Sequence, residues 1–224
     1  MTWIKICGTT NLEDAQVAVE AGADALGFVF YEKSPRNVDP EKAAEIIAAV
    51  PRSVEKVGVF VDQPVTYIQR TVELAGITAA QLCLEPRKNG LLDLCRLTEL
   101  CPGLKLTLAF PVPRLLEEGL FTFDEASKKM LHAIMFDSGT AVTRGGTGRT
   151  FDWQQAQSLI QTFSTMLPVI VAGGLSPQNV GQAIKLFHPF GVDVVSGVEA
   201  RPGKKDPEKV RAFVSAVRNA DRVT

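Results

Sequence analysis

Two ionisable side chains in this 224-residue chain stand directly after apolar, strand-like segments. Cys7 ends the first such segment and is followed by a glycine, and Asp137 ends another near the middle of the chain and is followed by a serine and a glycine. A thiol close to a cation can ionise and act as a base or nucleophile, and a carboxyl group can give or accept a proton. The pair is a candidate for acid–base chemistry if the fold brings both groups together. The structural alternatives are a buried, unreactive cysteine and a carboxylate that caps its own loop.

Apolar strands that alternate with helical patterns along the whole chain must position these groups. The strands are continuous runs of valine, isoleucine, leucine and phenylalanine, which is typical of strands covered on both faces. Candidate helix N-caps are Asp39, Asp152, Ser176 and Asp206. The predicted strands are Trp3–Cys7, Asp24–Phe30, Val54–Val61, Thr78–Leu84, Leu104–Phe110, His132–Asp137, Pro168–Ala172 and Val192–Val195. The predicted helices are Asn11–Ala21, Pro40–Val50, Val65–Ala75, Leu91–Leu100, Trp153–Phe163, Pro177–Leu186 and Pro207–Ala220, and 111–130 is predicted to be a loop with one short helix.

This alternation predicts an α/β fold, a closed (β/α)8 barrel formed as a single domain by residues 1–224. An open, doubly wound sheet is the alternative. In a parallel barrel the chemistry lies in the loops that follow the strands. Strands 7 and 8 separate strands 1 and 6, so Cys7 and Asp137 are expected to flank the mouth of the barrel, at the carboxyl ends of its strands. Groups on opposite sides of a small substrate suit a reaction that adds one proton and removes another.

Glycines follow strands 7 and 8, where barrels frequently bind phosphate. Gly173 and Gly174 follow strand 7, and Ser196 and Gly197 follow strand 8. Glycine lets backbone N–H groups approach a ligand closely, and a following helix N-terminus adds positive potential. Ordinary turns are the alternative for either loop alone, but the two loops together favour a phosphate site.

Two further loops carry residues that could bind a ligand. Arg36 lies after strand 2, where Pro35 stiffens the chain, and a guanidinium can hold a carboxylate through two hydrogen bonds; a solvated loop is the alternative. The glycine-rich segment 144–149 after strand 6 could close as a mobile flap. It lacks the phosphate-loop pattern, and no dinucleotide fingerprint follows strand 1, so nucleotide binding is not expected.

Composition excludes several classes of protein. The 24 Lys and Arg and 25 Asp and Glu residues give a net charge of -1, so the chain lacks the basic excess of a nucleic-acid-binding protein. It has no run of about 18 apolar residues and no basic, apolar leader, so neither a membrane span nor a secretory signal is expected. The four cysteines form no C-x-x-C pair and only two histidines are present, which leaves a metal site without support and favours reduced thiols in the cytoplasm.

Taken together, six strings resemble the phosphoribosylanthranilate isomerase family, from Ile4 to about Glu208, in order and spacing. Two departures accompany the match: strand 4 reads Gln81 to Glu85 where the family usually has Gln-Leu-His-Gly, and 109–130 matches poorly. The six strings are Lys5–Thr10, Gly27–Arg36, Phe136–Gly139, Gly145–Gly148, Val171–Leu175 and Asp193–Glu199.

The resemblance implies a (β/α)8 barrel enzyme of tryptophan biosynthesis. It acts on a phosphorylated small molecule, without a cofactor, as a monomer or homodimer. The implied reaction is the Amadori rearrangement of N-(5-phospho-β-D-ribosyl)anthranilate. The residue matching Asp137 is implied to be the general acid, that matching Cys7 the general base, and that matching Arg36 the group that holds the anthranilate carboxylate. The loops at Gly173-Gly174 and Ser196-Gly197 are implied to hold the phosphate.

Two alternatives remain at this point. A related isomerase of histidine biosynthesis would use two aspartates, and the cysteine after strand 1 argues against it. A non-catalytic phosphate-binding barrel would keep the glycines after strands 7 and 8 but lose Cys7 or Asp137, and both are present.

Overall fold

Eight parallel strands form a closed barrel in the computed structural model of the chain, which describes residues 1–83, 90–118, 124–139 and 150–223. Neighbours along the chain pair in order, and β1 pairs with β8 to close the sheet. The predicted barrel is therefore confirmed, and the alternative of an open, doubly wound sheet is excluded. The barrel strands are β1 Trp3–Cys7, β2 Ala25–Val29, β3 Glu55–Val61, β4 Ala79–Cys83, β5 Lys105–Pro111, β6 Leu131–Asp137, β7 Val169–Val171 and β8 Gly191–Val194.

Helices follow the strands and pack around the barrel. The described helices are α1 Leu12–Ala21, α2 Pro40–Ala48, α3 Val65–Ala75, α4 Gly90–Leu100, α5 Val112–Glu118, α6 Glu125–Met130, α7 Trp153–Ser164, α8 Val180–Phe187 and α9 Pro207–Asp221. After β8 the chain makes a short 3-10 turn, Ser196–Val198, and then a small antiparallel hairpin of β9 Glu199–Arg201 and β10 Lys204–Lys205. The sequence patterns did not predict this hairpin. None of the described helices is long and apolar enough to cross a bilayer.

Alternation along the strands divides the core into two layers. Outward residues such as Ile4 and Ile6 are fully buried against the helices, because successive side chains of a strand point to opposite faces. The residues between them point into the barrel, where small side chains such as Ala25 and Ala79 form the interior walls. Lys5, on the same strand, is therefore directed into the barrel and is 1% exposed.

Predictions for the start of α8, its N-cap and the segment 111–130 were wrong in detail. Helix α8 begins at Val180, not Pro177, and its N-cap is Asn179, not Ser176. The Asn179 side chain accepts a hydrogen bond from the Ser176 N–H at 2.8 Å and donates to the Gly174 carbonyl at 3.0 Å. These bonds stabilise a turn over 176–179, so the helix cannot start before it.

The described residues of the segment 111–130 form two helices, where one was predicted. The second, α6, begins after Asp124, whose carboxylate accepts a hydrogen bond from the Ser127 N–H at 2.7 Å. Apolar residues of α5, such as Val112 and Leu115, are buried in the core, which explains why this irregular sequence is ordered there. The predictions for Leu84, Glu85 and the 144–149 flap lie outside the described residues.

Candidate active site

Cys7 and Asp137 both lie at the mouth of the barrel. Cys7 is the last residue of β1 and Asp137 the last residue of β6, and β7 and β8 separate the two strands. The expectation that they flank one opening therefore agrees with the topology. A small molecule in this opening would meet a thiol on one side and a carboxyl group on the other.

The Cys7 thiol lies in a tightly enclosed pocket. Its sulfur lies so close to Gly27 that a Cβ atom there would come within 2.5 Å of it, so a residue with a side chain cannot occupy that position. Burial raises the pKa of the Cys7 thiol, and the cations Lys5 and Lys205 act in the opposite direction. The thiol therefore keeps its proton to a higher pH than a free cysteine, while the ammonium groups of Lys5 and Lys205 stabilise its anion.

Asp137 is held by the loop that follows it. Its Oδ1 accepts hydrogen bonds from the Gly139 N–H at 3.2 Å and the Ser138 hydroxyl at 3.4 Å. Burial raises the pKa of Asp137, the negative charge of Asp193 raises it further, and the hydrogen bonds from the loop oppose the rise. A carboxyl group that keeps its proton longer than usual can serve as an acid.

A buried ion pair lies within the barrel below these two groups. The Lys5 ammonium donates to Asp193 Oδ1 and to Gln81 Oε1, both at 2.8 Å. The three side chains come from β1, β8 and β4, so they join distant strands across the interior. The sequence patterns did not single out Lys5 or Asp193 as functional.

Arg36 is held in place by the carboxylate of Glu199, a residue to which the sequence patterns assigned no role. Its Nε and Nη2 donate to the two carboxylate oxygens of Glu199 at 2.9 and 2.7 Å. Glu199 is also hydrogen-bonded to Lys205 at 3.2 Å. Although burial opposes ionisation, the bonds from Arg36 and the charge of Lys205 hold the pKa of Glu199 below its usual range. The hairpin after β8 supplies both Glu199 and Lys205, which is why sequence patterns around the strands missed them.

The loops after β7 and β8 enclose a cavity. Its volume is about 730 Å³, and the side chains that line it among the described residues are uncharged. These residues offer a phosphate backbone N–H groups and hydroxyls. The lining residues are Thr150, Gly174, Leu175, Ser176, Asn179, Ser196 and Gly197.

Glycines allow these loops to come together. A Cβ atom at Gly197 would lie 1.9 Å from the Leu175 carbonyl oxygen, so the loops after β7 and β8 touch through this position. Gly173 has a φ of +85°, a conformation that favours glycine, and a Cβ there would lie 2.3 Å from the Ser138 backbone nitrogen. Gly173 is not part of the cavity wall; it links the cavity loop to the segment that carries Asp137.

Cys83 also lies at the mouth end of the barrel, where it packs against the apolar side chains of the barrel interior. It is the last residue of β4, partly exposed, and its sulfur accepts a hydrogen bond from Gln81 Nε2 at 3.8 Å. Burial raises its pKa to about 12. The thiol therefore stays neutral. Among the described residues, no group of three His, Cys, Asp or Glu side chains is arranged to hold a metal ion.

Comparison with known proteins connects this geometry to one family. The family model described as N-(5'phosphoribosyl)anthranilate (PRA) isomerase matches residues 4–216. The chain belongs to this family. The isomerase of Pelobacter propionicus is 41% identical over 219 residues, which cover 96% of this chain and 94% of that protein. That of Chlorobaculum tepidum is 42% identical over 223 residues, covering 99% and 97%.

Solved structures of the isomerase family have the same fold. The phosphoribosylanthranilate isomerase of Thermotoga maritima is 37% identical, with a TM-score of 0.79 over 98% of this chain and all of that one. A second structure, 36% identical with a TM-score of 0.75, covers 98% of this chain and all of that one. It was determined in complex with reduced 1-(o-carboxyphenylamino)-1-deoxyribulose 5-phosphate. A further Thermotoga maritima structure is described as monomers generated from a dimeric isomerase.

Proposed function

We propose that this chain catalyses the Amadori rearrangement of N-(5-phospho-β-D-ribosyl)anthranilate to 1-(2-carboxyphenylamino)-1-deoxyribulose 5-phosphate in tryptophan biosynthesis, with Asp137 as the acid and Cys7 as the base. The observation that carries the mechanism is their placement at one mouth, on strands separated by the two whose loops form the cavity. Membership of the isomerase family supports the substrate. A cytoplasmic location remains a prediction, and monomer and homodimer remain open.

The cavity between the loops after β7 and β8 is the proposed phosphate site. Ser196 and Gly197 lie on one wall and Gly174 on the other. Gly173 contributes indirectly, because it lets the loop after β7 pack against Ser138. A phosphate bound here would hold the sugar between β6 and β1 and so place its ring within reach of both reacting groups.

Arg36 is the proposed partner of the anthranilate carboxylate. A guanidinium has five N–H donors, and the pair with Glu199 uses two of them, one on Nε and one on Nη2. The second N–H of Nη2 and the neighbouring N–H of Nη1 are not used by that pair, and their spacing suits two hydrogen bonds to a carboxylate. Glu199 would then fix the orientation of the guanidinium without competing for that end.

The first step opens the sugar ring. Asp137 gives its proton to the ring oxygen, the bond between that oxygen and C1 breaks, and the electron pair on the substrate nitrogen forms an iminium with C1. The raised pKa of Asp137 favours this step because the carboxyl group enters it protonated.

The second step removes a proton from C2. The Cys7 thiolate takes it, the C–H electrons form a double bond between C2 and C1, and the iminium nitrogen regains its electron pair in an enolamine. The enolamine becomes the ketone by moving the proton of the C2 hydroxyl to C1. The substrate has gained one proton and lost one, and the enzyme ends with its proton on Cys7 instead of Asp137.

The decisive experiment is an isomerase assay on the purified full-length chain, together with complementation of a strain that lacks this isomerase. Turnover of the anthranilate substrate and growth without tryptophan are expected. No turnover by folded protein with Cys7 and Asp137 intact would refute the proposal. Turnover of the histidine-pathway substrate instead would favour the related isomerase.

Replacement of the base gives a more specific result. Cys7→Ser should keep the fold and reduce kcat greatly, because a serine hydroxyl is a far weaker base than a thiol near neutral pH. Cys101→Ser is the matched control, since this buried cysteine lies directly after α4, away from the mouth. A Cys7→Ser variant with normal kcat would exclude the thiol as the base.

A further inference from the structure

The buried Lys5–Asp193 ion pair is the least expected feature of the barrel interior. Its two side chains are 1% and 5% exposed, and the charged atoms are 2.8 Å apart. Burying two charges costs free energy that their attraction does not always recover, and apolar replacements are often as stable. The fold alone therefore gives no reason for the pair, and its position below two reacting groups suggests a role in the reaction.

The pair acts unequally on Cys7 and Asp137. Lys5 and Cys7 lie two residues apart on β1 and face the same side. The Lys5 ammonium lowers the pKa of the Cys7 thiol. Asp193 lies on β8, and its charge acts on Asp137 and raises the pKa of that carboxyl group. Asp193 also raises the pKa of Cys7, but the nearby Lys5 charge lowers it more, so the pair as a whole stabilises the thiolate. On Asp137 the charge of Asp193 disfavours the carboxylate.

The reaction needs a protonation state that free side chains do not favour. An ordinary aspartate loses its proton about four to five pH units before a cysteine does, yet the proposed mechanism starts with a protonated Asp137 and an ionised Cys7. The fraction of enzyme in that state rises about tenfold for each unit by which the two pKa values approach each other. An ion pair oriented in this way brings them together.

We propose that Lys5 and Asp193 are positioning residues whose oriented ion pair stabilises the reactive state, in which the proton is on Asp137 and not on Cys7. This inference rests on the proposed roles of Cys7 and Asp137. Gln81 assists by accepting the second hydrogen bond from the Lys5 ammonium.

Other charges face the same two groups and must be held constant in any test. Lys205 lies against Cys7, where its ammonium donates to the Cys7 carbonyl at 2.5 Å, and it shares Glu199 with Arg36. The charge of Cys7 also acts on Arg36. Asp137 faces Asp193 and the neutral thiol of Cys83.

The test measures the ionisation of Cys7 without relying on turnover. Its alkylation by iodoacetamide is followed against pH, and mass spectrometry of the separate peptides distinguishes it from the other three cysteines. The double variant Lys5→Met with Asp193→Asn removes both charges and leaves neither unpaired, which protects the fold. We expect its alkylation midpoint to rise by about one pH unit and kcat to fall about tenfold or more, with KM nearly unchanged.

The single variants separate electrostatics from structure. Lys5→Met should raise the alkylation midpoint, and Asp193→Asn should lower it, because the ammonium is then left facing the thiol alone. Asp193→Asn should still lower kcat, since Asp137 then loses its proton more readily. A merely structural pair would not give opposite shifts. Asp24→Asn, which removes an ion pair with Arg218 at the other end of the barrel, is the control and should shift neither quantity.

A double variant with the midpoint and pH–rate profile of the wild type would overturn the inference. That failure is distinct from failure of the proposed function, which would appear as a wild-type chain without isomerase activity. The alkylation midpoints of folded wild type and variants report on Lys5 in either case.

Discussion

At the scale of single residues, burial shifts the pKa values of the two proposed reacting groups in the same direction. It raises the pKa of Asp137, which favours its role as an acid, and that of Cys7, which opposes its role as a base. The surrounding cations, Lys5 and Lys205, counteract the second effect only. Nearby cations therefore oppose the rise in the pKa of Cys7 but not the rise in the pKa of Asp137.

The first prediction concerns Asp137→Asn. An asparagine side chain cannot give the proton, so kcat should fall by about 10²- to 10⁴-fold, the usual contribution of such a group. Asp152→Asn is the control: Asp152 caps α7 through the Gln154 and Gln155 N–H groups, and asparagine caps equally well. Full activity in Asp137→Asn would exclude it as the acid.

The second prediction concerns the stability of the same variant. Because the folded-state pKa of Asp137 is raised, its contribution to stability is fully present below the ordinary value of 3.8 and is lost as pH rises through the folded value. Asp137→Asn should therefore unfold at a higher temperature than the wild type at pH 8, and the difference should shrink towards pH 4. Thermal unfolding at both pH values measures this, and equal melting temperatures at pH 8 would contradict it.

Arg36 gives the third prediction. Arg36→Ala should raise KM by about tenfold or more, since an ion pair with hydrogen bonds is lost, and change kcat less. The control substrate is the analogue without the carboxylate, for which the variant and the wild type should have similar KM values. Lys33→Ala, an exposed cation in the same loop, should leave both unchanged. An unchanged KM for the natural substrate in Arg36→Ala would count against the carboxylate role.

At the scale of elements, the loops after β7 and β8 act as one unit. Their contact at Gly197 and Leu175 fixes the width of the cavity between them. The turn before α8, which lines this cavity, is stabilised by two hydrogen bonds of the Asn179 side chain.

The fourth prediction tests this contact. Gly197→Ala places a Cβ atom 1.9 Å from the Leu175 carbonyl, so the loops must separate. We expect a loss of about 1–3 kcal/mol of stability and a clear rise in KM and in the inhibition constant of inorganic phosphate. Gly181→Ala, where the nearest atom would be Ala220 Cβ at 3.9 Å, is the matched control in α8 and should be neutral or slightly stabilising. Equal inhibition constants of phosphate in both variants would show that phosphate does not bind in this cavity.

At the scale of the whole molecule, the last helix holds the closed barrel together. Arg218 on α9 donates to the Thr2 carbonyl at 2.6 Å, to Asp24 Oδ2 at 3.0 Å and to the Gly22 carbonyl at 3.3 Å. These bonds join the end of the chain to the start of β1 and β2, at the opposite end of the barrel from the mouth.

The fifth prediction separates this role from catalysis. Arg218→Ala should lower the free energy of unfolding by about 1–3 kcal/mol, because charged hydrogen bonds are lost, and leave KM unchanged. Arg211→Ala, at an exposed position of the same helix, should change neither. Urea unfolding and steady-state kinetics measure the two effects, and an altered KM in Arg218→Ala would contradict the separation.

The sequence alone determined the order of strands and helices, and with it the ends at which Cys7 and Asp137 lie. Periodicity is a local property, so apolar runs identify strands without knowledge of their neighbours. The bounds of β1 and α3 were predicted without error. The predicted start of α8 was wrong because the hydrogen bonds of the Asn179 side chain decide it. The prediction of one helix in 111–130 was wrong because burial of α5 in the core decides the structure there. Neither effect can be read from the local sequence.

Only the tertiary structure decided the partners of the candidate site. Lys5, Gln81 and Asp193 lie 76 and 188 residues apart along the chain, measured from Lys5, yet their side chains meet in one buried cluster. Glu199 reaches Arg36 across 163 residues. The sequence of a strand shows which residues lie at its end. Which charged side chains lie beside those residues is decided only when the barrel closes. Together with burial, these charges shift the pKa values of Cys7 and Asp137.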